Sequence, residues 1–306
     1  MAKPPRRHHL VPKFYLRRFS KDDSVRVRSR DLTKSFPASV ENASVRSHYY
    51  SLDLEDGSRS TAVETMLSEI EGIAAEVIRG FDAGSIPFGE SREMFAFFMT
   101  LQMTRTQTQR TTLDEMGTAV VRRMLEIAPI DMARDMFMKR HEREPTADEL
   151  SNERSRIRQA AKSASLEGTQ NNHIEAMLTN ARDLAPFLGE RHWCVMDFGE
   201  PLLLTSDNPV LPYSPPSEVP AGWGIGIANA AFVAYPLDPQ HALFMFRKDE
   251  GPVPTRLPAT RDEAVGMNRD IAFQAEDWIF QHPDLKHEEI NSLPRRSSRI
   301  AQGTRR

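Results

Sequence analysis

The sequence predicts an α+β fold: a mixed, mainly antiparallel sheet from the C-terminal third, which N-terminal strands can join, packed against a bundle of long helices from the middle. Three observations carry this. SVRVRSRDL (24–32) alternates Val25 and Val27 with Arg26 and Arg28, the period of a half-exposed strand. Residues 61–190 show apolar stripes at helical spacing. From His192 onward, WCVMDF, PLLLTS, AAFVAYPL and ALFMFR are short apolar runs separated by Pro/Gly/Ser-rich connectors such as SPPSEVPAGWGIG, the style of an antiparallel sheet. The expected organisation is one interwoven domain over 1–285, helical across about 61–190 and sheet-rich across about 1–52 and 191–285. Residues 286–306 read as a basic, disordered tail.

The chain opens MAKPPRRHHLVPKFYLRRFS. Val11, Phe14, Tyr15, Leu16 and Phe19 are too apolar for a solvated tail, and Pro12 suits the start of a helix because its φ is preset. This segment is expected to dock into the body and carry His8 and His9 with it. A second short strand is expected at 48–52, after a loop containing Pro37. Thr61 with Glu64 has the form of a capping box opening a helix over 61–81. At about 100° per residue, Val63, Met66, Leu67, Ile70, Ala74, Val77, Ile78 and Phe81 share one stripe. Glu69 and Glu76 fall on the far side, while Glu64 and Glu71 nearly superpose on the border of the stripe.

A further helix is expected from Glu90 to at least Glu126, with Phe95, Phe98 and Met99 on its apolar face. The same face then carries Gln102, Thr106 and Gln109, edged by Arg105 and Arg110, before Leu113 and Met116 return it to apolar character. A stripe that turns polar midway points to a polar pocket or a buried hydrogen-bonded network. Residues 131–190 continue as charged, solvated helices. A last helix over 260–275 leads to a strand at 278–280.

The chain has 306 residues, 39% of them hydrophobic, enough for one large or two modest cores. No apolar run is long enough to span a bilayer, and the basic N-terminus lacks the apolar stretch of a secretory signal. Cys194 is alone, so no internal disulfide forms; it reads as a buried, inert thiol, and a cytoplasmic location is expected. The net charge of −3 hides an uneven distribution: +8 over residues 1–30, +4 over 286–306 and −15 between them. Basic ends can bind a polyanion or fold back on the acidic body.

The signatures GxxxxGK[ST], GxGxxG, HExxH, CxxC and GxSxG are absent, which argues against P-loop, dinucleotide-binding, thiolate-zinc and α/β-hydrolase chemistry. TSDNPV (205–210) follows an apolar run. Its Asp207 and Asn208 suit either an Asx turn ending a strand or a strand end facing a cleft. Scattered His, Arg, Asp, Asn and Glu remain for chemistry. His9 can serve as acid or base, Arg105 can clamp a phosphate, and Asp207 with Glu71 can hold a divalent ion such as magnesium.

HHLVPKFYLRRFS, the ETMLSEIE helix, FAFFMTLQMTRTQTQR, TSDNPV, YPLDP and MNRDIAFQAEDWIF occur in an order that resembles domain-of-unknown-function family 4238 over nearly the whole chain. The motif positions carried over are His9, Pro12, Glu71, Gln102, Arg105, Ser206, Asp207, Asn208, Pro209 and Asn268. The resemblance supplies no reaction, but some members are associated with bacterial defence against phage. The expectation is therefore a nuclease acting on RNA or DNA in such defence. Its catalytic residues are His9, Asp207, Asn208 and Glu71, and its substrate-binding residues are Gln102, Arg105, Ser206 and Asn268. The alternative is a non-catalytic sensor that recognises a phage protein or a nucleotide through the same pocket. No membrane partner is expected.

Overall fold

In the computed structural model, which describes residues 7–220, 224–248, 251 and 253–293, the two ends of the chain meet in one sheet. β2 (Ser24–Ser29) lies between β3 (Ser35–Ser39) and β13 (Trp278–Gln281), and β13 continues to β8 (Thr205–Ser206), all antiparallel. Val25 and Val27 are buried while Arg26 and Arg28 are half-buried, as the alternation in SVRVRS predicts. A five-stranded sheet runs in the order β12 (Arg256–Pro258), β7 (His192–Asp197), β11 (His241–Phe246), β10 (Phe232–Pro236) and β9 (Leu211–Tyr213). Only the β12–β7 pair is parallel. The fold is α+β, and the N-terminal strands do join the C-terminal ones.

The chain divides into two compact units, residues 1–107 with 174–306 and residues 108–173. The first is built around α2 (Ala62–Asp82), α3 (Gly89–Thr104) and α7 (Gln170–Gly189). The expected stripe of α2 is the buried one: Val63, Leu67, Ile70, Ala74, Val77, Ile78 and Phe81. Phe81, Phe95 and Trp193 meet edge-on or tilted, at ring separations of 5.6 to 6.2 Å.

The opening segment is docked. β1 (Arg7–His9) pairs with β4 (Val45–Ser47), and after Pro12 the short helix α1 (Lys13–Arg17) buries Tyr15 and Leu16. The Tyr15 hydroxyl donates to the Pro236 carbonyl and shares a second bond of 2.7 Å with the Thr205 hydroxyl. Arg18 donates to both oxygens of Asp82 and to Asp238, stitching this segment to α2 and to the β10–β11 turn. Burial alone would raise the Asp238 carboxyl, but bonds from His241 and Gln240 and the charges of His241 and Arg18 hold it at about 2. That is below its ordinary 3.8, so its contribution is complete above pH 4 and is lost as the pH falls toward 2. Asp238→Asn should flatten thermal stability across that acid window. Leu16→Ala, which empties a fully buried site, should cost about 2–5 kcal/mol by denaturant titration.

Three local expectations are corrected. The strand expected at 48–52 is replaced by β4, a turn in which His48 takes φ +54°, and β5 (Leu52–Asp53) paired with β6 (Arg59–Ser60). The single long helix is two, α3 and α4 (Gln107–Ile127), because Arg105 leaves helical geometry at ψ 5° and its carbonyl accepts from the Tyr49 hydroxyl at 2.9 Å. No residue of α4 is buried, so Met116 is an exposed apolar side chain and does not return that face to a core. The segment after 285 also begins folded: a 3₁₀ turn at Glu288–Ser292 buries His287 and Ile290. The rest of the expected tail, 294–306, lies outside the described residues.

The second unit holds α5 (Ile130–His141) and α6 (Ala147–Ala161), the latter opened by a complete capping box of Thr146 and Glu149. Ala128, Ala133 and Ile157 form its small core. Cys194 is buried, and burial pushes its thiol pKa up, as an inert thiol requires. No helix among the described residues is long and apolar enough to cross a membrane.

Candidate functional site

Short strand β1 has two adjacent histidines, and strand alternation must send them to opposite faces. His8 is the inner one, only 3% exposed, and His9 is half-buried. The turn after β4 brings Tyr50 back over β1, where its backbone N–H donates to His8 Nδ1 at 2.7 Å and its ring stacks on the imidazole at 5.5 Å. With Nδ1 an acceptor, the proton of neutral His8 sits on Nε2. Nε2 points at Glu64 Oε2, 3.7 Å away, an oxygen with no hydrogen-bond partner among the described residues. The capping box expected of Glu64 is not formed: Thr61 makes no side-chain cap bond, and Glu64 faces His8 instead. Thr260 and Glu263, in front of α8 (Arg261–Gln274), do form one.

These groups open onto a cavity of about 770 Å³. Its walls include His8, His9, Lys13, Arg17, Glu41, Tyr50, Glu64 and Glu71, with Phe14 and Leu67 as apolar lining. Glu71 lies two turns beyond Glu64 on α2, so both carboxylates reach the same space. Behind Glu71, Arg105 Nη1 lies 3.5 Å from Glu71 Oε1, and its Nη2 donates to Gln102 Oε1. Arg105 is 3% exposed, so the expected polar step on α3 becomes a buried wall. Burial raises the Glu71 carboxyl pKa, outweighing the charge and the bond of Arg105, which pull it down. At the mouth, Lys13 donates to Glu41 at 2.7 Å and Arg17 pairs with Asp23 at 3.2 Å; both pairs are exposed and therefore weak. His9 Nε2 donates to the Glu41 carbonyl at 3.1 Å.

A family model described as Protein of unknown function (DUF4238) matches residues 7–284. The chain belongs to this family. No curated protein and no solved structure matches it.

Among the DUF4238 motif positions, the structure gathers His9 and Glu71 on the cavity and places Gln102 and Arg105 behind Glu71. It sets the others elsewhere. Asp207 does not line the cavity; its Oδ1 accepts the Glu276 N–H at 2.8 Å and its Oδ2 those of Asp277 and Trp278, both at 2.9 Å. Burial pushes its pKa up to about 7, against these donors. Ser206 accepts the Asn208 N–H at 3.2 Å, an ST turn within the motif itself. Asn268 bridges Leu202, Leu204 and Glu289 in a separate cleft. Asp207 and Glu71 therefore do not converge on a divalent ion, since three N–H groups occupy the Asp207 carboxylate. Nor is any group of three or more His, Cys, Asp or Glu side chains among the described residues placed to hold one.

Two lines of support join the motifs to the cavity. Asp277, positioned by Asp207, accepts from Arg46 at 3.1 Å, and Arg46 lies opposite His8 in the β1–β4 ladder. Thr205, beside Ser206, holds Tyr15, whose ring stacks on Tyr235 at 5.2 Å, and Tyr235 senses the charges of both Arg105 and Glu71. His8, Glu64, Lys13 and Arg17 are cavity residues to which sequence reasoning gave no role in the site. For Glu64 the signal was present in its seven-residue spacing from Glu71. For His8 it was not, because the register of a three-residue strand decides which histidine turns inward.

Proposed function

We propose that the cavity is an active site for general acid–base hydrolysis of a phosphodiester, making the protein a nuclease acting on RNA or DNA. The observation that carries this reading is the pairing of roles: a histidine, held in one tautomer by a backbone N–H, faces the Glu64 carboxylate on the same cavity as half-buried Glu71, whose carboxyl pKa is raised by burial. The Glu64 carboxylate takes a proton from the attacking water, and the Nε2–H of neutral His8 donates a hydrogen bond to the phosphoryl oxygen. Glu71, protonated, donates to the leaving oxygen. Lys13 and Arg17 exchange their exposed carboxylate partners for the phosphate. The anti-phage setting implied by the family resemblance, and a cytoplasmic location, belong to this proposal.

A second reading, a non-catalytic sensor of a nucleotide or phage protein, draws on the ion pairs already made by Lys13 and Arg17, which leave a ligand to compete for them. Purified protein with bis(p-nitrophenyl) phosphate and labelled RNA and DNA oligonucleotides tests both readings. Turnover that falls when Lys13→Gln raises KM with little change in kcat supports the hydrolase. Oligonucleotide binding at the cavity without turnover supports the sensor.

A further inference from the structure

A second cleft, of about 440 Å³, lies on the sheet face bearing Arg26 and Arg28, beneath the segment 281–291. Two buried acceptors on its lining residues have no hydrogen-bond partner among the described residues. Gln281 is 2% exposed; its Nε2 donates to the Leu285 carbonyl at 2.9 Å, which fixes the amide and leaves Oε1 without a partner. His287 is 4% exposed, and its tautomer follows from its neighbours. Both hydrogens of the Asn268 amide are spent, on the Leu202 carbonyl at 2.8 Å and Glu289 Oε1 at 2.7 Å. The Nδ1 of His287, 3.1 Å from the same Glu289 oxygen, is therefore the donor of that pair. Its Nε2 is a bare lone pair, buried and without a partner among the described residues. Burial also lowers the His287 pKa, against the pull of Glu289, which disfavours the doubly protonated ring.

The shallow side is cationic. Arg26 stands opposite Gln281 in the β2–β13 register and makes no ion pair among the described residues. Arg28 donates to Asn291 at 2.7 Å, and Lys286 completes the rim. Of the three nearby carboxylates, Asp284 is taken by Lys21 at 2.6 Å, Glu289 by His287 and Asn268, and Glu288 lines the cleft. A buried acceptor without a donor is unfavourable by about 1–3 kcal/mol, so two together ask for a ligand with two N–H donors. The arginines and lysine ask for an anion at its other end.

We propose that this cleft binds a guanine nucleotide, its base N–H groups on Gln281 and His287 and its phosphate on Arg26, Arg28 and Lys286. Guanine presents two adjacent donors, N1–H and the N2 amino group, whereas adenine sets an acceptor beside its one amino group. The cleft volume falls within the range of small-ligand sites. The site is separate from the His8 cavity and stands or falls independently of the hydrolase reading.

Isothermal titration of the full chain with GMP, IMP, AMP and inorganic phosphate tests this. The expected order is GMP tightest, IMP weaker by about tenfold for its missing amino group, and AMP and phosphate weaker still. Gln281→Met should abolish the preference for GMP over AMP. Arg26→Ala, which removes a side chain with no hydrogen bond or ion pair among the described residues, should weaken GMP about tenfold at an unchanged melting temperature. His8→Asn, in the other cavity, should leave GMP affinity unchanged. Equal affinity for GMP and AMP, no GMP binding at millimolar concentration, phosphate as tight as GMP, or an Arg26→Ala variant as tight as wild type would each overturn the proposal.

Discussion

Asp207→Ala is expected to unfold the protein roughly 6–12 °C below the wild type, with its fold otherwise native at low temperature. The carboxylate accepts three consecutive backbone N–H groups, those of Glu276, Asp277 and Trp278. Removing these three bonds costs about 1 kcal/mol each, about 3 kcal/mol in all. Asp207→Asn should also destabilise, since its amide turns an N–H₂ toward an N–H donor. The pH dependence has a definite sign. With the folded-state pKa near 7 and the unfolded one near 3.8, the folded state binds the proton more tightly. This group's contribution is then complete below about pH 4 and fades as the pH rises to about 7, and Asp207→Asn removes that slope. Thermal melts of both variants at pH 4 and 7.5 check this. An alanine variant with wild-type melting temperature and no activity would return Asp207 to the catalytic role that a strand-end Asp suggests.

The difference between what was legible and what was not is largely one of periodicity against register. The α2 stripe, the docked N-terminal segment and the alternation of β2 were readable because each depends on local spacing, and each was found where spacing put it. Glu71, Gln102 and Arg105 were readable as a polar patch because they interrupt apolar faces. The break at Arg105 was not, since nothing local stops that helix; the hydroxyl of Tyr49, 56 residues away in sequence, takes its last carbonyl. The surroundings of Asp207 were not legible for a related reason. A short DNP turn looks the same whether its carboxylate faces a cleft or a neighbouring strand, and the strand that answers it, β13, comes 70 residues later. The choice between His8 and His9 likewise rests on pairing with β4, which no pattern within RHH encodes.

His8→Asn is expected to lower phosphodiester turnover by about 10²- to 10³-fold, the usual contribution of one fixed donor to the transition-state oxyanion. Asparagine is the informative replacement because its Oδ1 can take the place of Nδ1 and still accept the Tyr50 N–H, so the β1–β4 ladder and the melting temperature should survive. What is lost is Nε2, the atom that faces Glu64 and the cavity. Glu71→Gln tests the other half. Glutamine has the shape and neutrality of the protonated acid, and can still accept from Arg105, but has no proton to give. In the wild type, turnover should fall as rising pH ionises Glu71, and burial moves that limb above the ordinary carboxylate range. In Glu71→Gln the residual rate should lose that alkaline limb. Full turnover in His8→Asn would remove His8 from the chemistry. A Glu71→Gln profile that keeps the limb would assign it to another group. If wild type itself turns over no phosphodiester while Lys13→Gln abolishes oligonucleotide binding, the cavity is a sensor's.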